Sequence, residues 1–132
     1  MKEILKKMGI SEKTIKAMEE IFPNINDITE KEILEKIKIL NDIGCDHIQI
    51  KNIISSNAMY LDRSNTDIEK LINKLKELGF ENLDLIFDGN PYVLNLEAFE
   101  VEEYVKSREK QGELLEDIVD EISSKLYLLN EI

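Results

Sequence analysis

Three leucine-to-glycine junctions recur at a fixed interval. "LKKMGI" begins at Leu5, "LNDIGC" at Leu40 and "LKELGF" at Leu75, a spacing of 35 residues both times, with glycines at 9, 44 and 79. After each glycine, apolar residues fall near helical spacing: Ile15, Met18 and Phe22; Ile50, Ile53 and Ile54; Leu83, Ile86 and Phe87. Each segment closes on a related break, "FPNI" at 22–25, "NAMYL" at 57–61 and "NPYVL" at 90–94. Ala58 stands where the other copies have Pro23 and Pro91. A repeat of this length restricts the chain to an array of small units, because one unit cannot bury its apolar face alone.

A stronger helix follows each break. Thr29 with Glu32 forms a capping-box pattern ahead of Ile33, Ile37, Leu40 and Ile43, and Gly44 supplies the left-handed stop. Thr66 with Glu69 repeats the device ahead of Ile68, Leu71, Ile72, Leu75 and Leu78, ended by Gly79. The third copy, roughly 96–110, is more acidic and turns Val101, Tyr104 and Val105 inward. A closing helix over about 113–129 carries Leu114, Leu115, Ile118, Val119, Ile122, Leu126 and Leu129 on one side and acids on the other. No segment alternates with the period of a half-buried strand. The expected fold is all-α: a single domain over 1–132, a short curved solenoid of repeats 5–39, 40–74 and 75–109 with the last helix as cap.

With 132 residues, such a chain buries roughly two thirds of the surface its unfolded form exposes. No run of about 18 apolar residues is present to span a membrane. The start "MKEILKKMGI" does not read as a signal peptide. A single cysteine, Cys45, excludes an internal disulfide, so the expected location is the cytoplasm. The net charge of −11 is unevenly spread. Residues 1–39 balance eight lysines against eight acids, whereas residues 75–109 set three basic groups against nine acidic ones. The C-terminal half would repel a phosphate backbone.

The "LxxLG…P-x-x-L" pattern resembles the repeats of the mitochondrial transcription termination factor family, mTERF. Leu75, Leu78, Gly79, Pro91 and Leu94 match it best, then Leu40, Ile43, Gly44 and Leu61, then Leu5, Met8, Gly9 and Pro23. The resemblance covers roughly residues 5–109. It implies a curved helical array without enzymatic activity, of a kind that mostly binds nucleic acid through a basic concave groove in organellar gene expression. This chain departs from the pattern in having about three repeats and an acidic balance. The matched positions are structural, so the resemblance assigns no nucleic-acid contact.

Residues that carry chemistry are few. His47 lies two residues from Cys45, and no second Cys or His completes a metal site, so Cys45 reads as a packed residue behind Gly44. "DLIFDGN" at 84–90 has Asp84 and Asp88 in calcium-loop register. Ile86 and Asn95, however, stand where ligands belong, so Asp88-Gly89-Asn90-Pro91 reads as a helix stop. No cofactor or catalytic constellation is expected, and the chain is not read as an enzyme. Two candidate surfaces remain. Glu113, Glu116, Asp117, Asp120 and Glu121 form an acidic row suited to docking a basic protein. Lys6, Lys13, Lys16, Lys51, Lys70 and Lys74 are the candidate nucleic-acid contacts in the less acidic part of the chain. Arginine, the usual fork for phosphates, occurs only at Arg63 and Arg108. The first reading is therefore a protein-binding adaptor or regulator with a basic partner. The alternative is direct DNA or RNA binding by the N-terminal half.

Overall fold

A computed structural model describes residues 2–132. Among the described residues the fold is all-α, with eight α-helices, four 3-10 helices and no strand. Two compact units, Met1–Arg63 and Ser64–Ile132, make up the chain.

The first unit contains α1 (Lys2–Lys7), α2 (Glu12–Ile21), a 3-10 helix at Pro23–Asp27, α3 (Glu30–Asp42), α4 (His47–Ser56) and a 3-10 helix at Ala58–Asp62. The second contains α5 (Asn65–Leu78), α6 (Leu83–Gly89), a 3-10 helix at Pro91–Asn95, α7 (Ala98–Lys110), α8 (Leu115–Ser124) and a 3-10 helix at Leu126–Glu131. The short helices after the glycines bury all the apolar residues expected of them: Ile15, Met18 and Phe22; Ile50, Ile53 and Ile54; Leu83, Ile86 and Phe87.

The glycine junctions are one device used four times. At Gly79 φ is +102°, a region closed to most side chains; its N–H donates to the Lys76 carbonyl and the Phe80 N–H donates to the Leu75 carbonyl. These two bonds satisfy carbonyls that the helix end leaves free, in a Schellman motif. The same pair forms at Gly9, Gly44 and Gly112, all with positive φ. Gly112 is a fourth junction beyond the three expected. In the first three junctions the residue four before the glycine and the one after it are both buried and apolar: Leu5 with Ile10, Leu40 with Cys45, and Leu75 with Phe80. At the fourth these positions are Arg108 and Glu113, and an ion pair replaces the apolar contact.

The breaks repeat just as closely. Phe22, Asn57, Asn90 and Lys125 share φ between −132° and −147° and ψ between 70° and 84°, each leading into a 3-10 helix. Asn57 keeps this geometry although Ala58 follows it in place of proline. The closing helix expected over about 113–129 is accordingly two pieces. It stops at Ser124, and Lys125 opens a fourth break.

Two helix details differ from the sequence reading. Ser64, not Thr66, caps α5, its hydroxyl accepting from the Asp67 N–H at 3.5 Å. Both Ser64 and Thr66 have an acid three residues on, so the capping signal occurs twice and the earlier copy starts the helix. In α3 the buried residues are Ile33, Lys36 and Leu40, while Ile37 and Ile43 are only half-buried. Beside this face Tyr60 lies fully buried, its hydroxyl donating to the Lys36 carbonyl at 2.7 Å. Burial holds the Lys36 ammonium below the ordinary lysine range and raises the Tyr60 hydroxyl. Thr29 caps α3 as expected, accepting from the Glu32 N–H at 3.2 Å.

The second unit is held by α5 against α7 and by α7 against α8. Ile68, Leu71, Ile72 and Leu75 supply the buried side of α5, Val101 and Val105 that of α7, and Ile118, Val119 and Ile122 that of α8. Asn90, itself buried, ties the last break into the unit by donating to the Leu126 carbonyl at 3.1 Å and to the Asn130 side chain at 2.9 Å.

Candidate interaction surfaces

Four of the candidate lysines lie in the first unit. Lys6, at the end of α1, is bound to Glu12 at 2.7 Å; this bond raises the ammonium and lowers the carboxyl. Lys13 and Lys16 are exposed on α2 and have no ion-pair partner among the described residues. Lys51 belongs to α4, which packs against α2. Its ammonium reaches the C-terminal end of α1, about 3.6 Å from where a Cβ on Gly9 would sit. A cation there offsets the partial negative charge of the helix end, a structural use of that lysine.

The remaining two lysines belong to the second unit. Lys70 is exposed on α5. Lys74 is held between Glu102 of α7 at 3.1 Å and Glu77 at 3.2 Å, contacts that raise its ammonium. Glu102 also takes Lys106 at 2.6 Å, and the two lysines hold its carboxyl below the usual range. The six lysines are therefore not a uniform set: two are neutralised and one serves a helix end.

The acidic row also divides. Glu113 precedes α8 and accepts two bonds from the Arg108 guanidinium, at 2.8 and 2.6 Å. This fork lowers the Glu113 carboxyl from its ordinary value and raises Arg108. Glu121 lies 3.3 Å from the same guanidinium, which also sits 5.9 Å from the Tyr104 ring centroid. Only Glu116, Asp117 and Asp120 are left exposed with no cation paired to them among the described residues. Arg108 was legible once its spacing to Gly112 is seen, since it holds the position of Leu5, Leu40 and Leu75.

Beside Glu116 and Asp120 the second unit has a cleft of about 480 Å³ that the sequence reading did not find. Leu115, Glu116, Val119, Asp120 and Ser123 line it from one side of α8. Leu78, Gly79, Glu81 and Asn82 line it from the connection between α5 and α6. Asn82 adopts a left-handed conformation, φ 54° and ψ 52°, which asparagine tolerates better than other side chains. The more buried part of the cleft's lining is apolar, Leu78, Leu115 and Val119, and the exposed part includes the acids Glu81, Glu116 and Asp120.

Cys45 is buried and His47 is exposed on the first turn of α4, so the two do not form a pair. Asp84 and Asp88 lie in α6, and a helix cannot wrap a calcium ion as a loop does. No cluster of three or more His, Cys, Asp or Glu able to hold a metal ion occurs among the described residues. Nor is any helix among them long and apolar enough to cross a membrane.

The sequence model of a family described as mTERF matches residues 2–119. The chain belongs to the mTERF family. No curated protein and no solved structure matches it. The mTERF family is a helical-repeat family without enzymatic activity, with nucleic-acid-binding or regulatory roles. The fourth junction, Gly112, falls within the matched residues, and the break at Leu126–Glu131 continues the mTERF repeat pattern beyond them.

Proposed function

We propose that this mTERF-family chain is a non-enzymatic scaffold that binds a protein partner with a basic surface, as an adaptor or regulator in the cytoplasm. The carrying observation is the acidic excess of the second unit. Seven basic residues there face seventeen acidic ones, and Lys74, Lys106 and Arg108 are already engaged by carboxylates. The exposed acids left over attract cations and repel phosphates. Recognition on such a surface needs complementary shape and charge and no covalent step.

A second reading, direct binding of DNA or RNA, rests on a different observation. The first unit is nearly neutral, and Lys13 and Lys16 stand exposed on one helix with no acid paired to them among the described residues. Fluorescence anisotropy with mixed-sequence DNA and RNA at about 50 mM salt separates the two readings. The protein reading expects no binding tighter than about 0.1 mM, with or without the K13E/K16E change. Tighter binding that weakens steeply with added salt and is lost in K13E/K16E overturns it.

A further inference from the structure

We infer that the cleft beside Gly79 in the second unit receives a basic amphipathic segment of a partner protein. A lysine or arginine head would sit among Glu81, Glu116 and Asp120, with an adjoining apolar side chain on Leu78, Leu115 and Val119. The inference rests on the proposed basic protein partner and names where that partner is read.

The geometry supports one occupant over others. Volumes of roughly 300–1,000 Å³ are usual for small-ligand sites, and at about 480 Å³ this cleft can take two or three side chains. Leu78 and Leu115 are half-buried and Val119 is buried, so the floor offers apolar area that a purely charged chain would leave uncovered. Glu81, Glu116 and Asp120 are exposed on the rim and have no cation paired to them among the described residues. The C-terminal end of α5, at Leu78, adds the partial negative charge of a helix end. At the other wall, the positive end of α8 already carries Glu116 and Asp117 in its first turn. Phosphate is repelled by every ionised group of the cleft, and a metal ion finds no cluster of three ligands. A neutral apolar ligand would leave three carboxylates partly desolvated and unpaired. A segment with both characters satisfies floor and rim together.

The test uses the full chain and three synthetic 14-residue peptides. One sets lysine and leucine at helical spacing, one replaces its leucines by serine, and one replaces its lysines by glutamate. Binding is read by anisotropy and by backbone amide shifts in NMR. The lysine–leucine peptide is expected to bind at least about 10-fold tighter than the lysine–serine peptide, a difference of about 1.4 kcal/mol. The largest shifts are expected at Gly79, Asn82 and Ser123. E116K/D120K is expected to lose about 10-fold or more, whereas E109K/E131K, the same charge change elsewhere in the unit, loses less than about 3-fold. Helical circular dichroism checks that both variants fold. Equal losses in the two variants, equal binding of the two basic peptides, or shifts confined to other residues overturn the cleft and leave the proposed function standing. No binding of either basic peptide overturns both.

Discussion

The two units are built on the same alternation of glycine junction, short helix, 3-10 break and long helix, yet their surfaces differ sharply. The first sets ten basic residues against eleven acidic ones, the second seven against seventeen. Their skeletons match because a few buried positions carry them: the glycine, the residues flanking it and the apolar face of each helix. The charges lie elsewhere and vary without disturbing the backbone. One skeletal position escapes this rule. At Gly112 the apolar pair that seals the other junctions has become Arg108 and Glu113, so charge has entered the frame of the second unit.

The largest expected effect tests whether the apolar seals bear equal weight in the two units. Leu40→Ala and Leu75→Ala each empty a fully buried site, and each should cost about 2–5 kcal/mol in urea unfolding. Arg108→Ala should cost less, because the carboxylates it leaves behind, Glu113 and Glu121, are 38% and 43% exposed and regain water. An Arg108→Ala loss as large as that of Leu75→Ala would mean that the ion pair is as much a seal as leucine.

Next come the glycines. A Cβ at Gly79 or Gly112 meets nothing within 4 Å, so alanine there pays only the left-handed backbone penalty of roughly 1–2 kcal/mol. Gly79→Ala and Gly112→Ala should therefore destabilise about equally, as read by thermal unfolding. Unequal losses would show that the fourth junction is not the same device.

Much of this was legible in the sequence, and the misses have physical causes. The 35-residue interval, the glycine stops, the Thr29 cap and the buried faces of the short helices follow from patterns that act over a few residues. The fourth repeat escaped because its two landmarks are disguised. Gly112 lacks the preceding leucine, and the Lys125–Leu126 break lacks a proline, so α8 and the 3-10 helix after it read as one helix. The turned face of α3 packs in a region where Tyr60 bonds a carbonyl 24 residues away, a tertiary contact that no local pattern encodes. The cleft is of the same kind: the side of α8 is visible in the spacing of Leu115, Val119 and Ser123. Its opposite wall comes from a loop more than thirty residues earlier.

Proline is itself a test of that disguise. Ala58 occupies the first position of its 3-10 helix, as Pro23 and Pro91 do in theirs, and the flanking backbone already has the same geometry. Ala58→Pro should stabilise the first unit by about 0.4–1 kcal/mol by restricting the unfolded chain. Destabilisation would mean that the pyrrolidine ring does not fit the space alanine leaves there.

The smallest effect is the one that most sharply separates the two kinds of junction. Arg108 lowers the Glu113 carboxyl below its ordinary 4.5, so the folded state binds the proton more weakly than the unfolded state. The resulting stability is present above the unfolded value and is lost as pH falls through the lowered folded value. Glu113→Gln keeps the shape and a hydrogen-bond acceptor but not the charge. The wild-type chain should therefore be modestly more stable than Glu113→Gln at neutral pH, and the difference should fade as pH drops below 4.5. At the Gly79 junction, Leu75 and Phe80 have nothing to titrate. The difference between wild type and Phe80→Leu should then hold constant over the same range, as measured by urea unfolding at stepped pH. A Glu113→Gln difference that also ignores pH would place the junction's strength in shape alone and remove the distinction between the two seals.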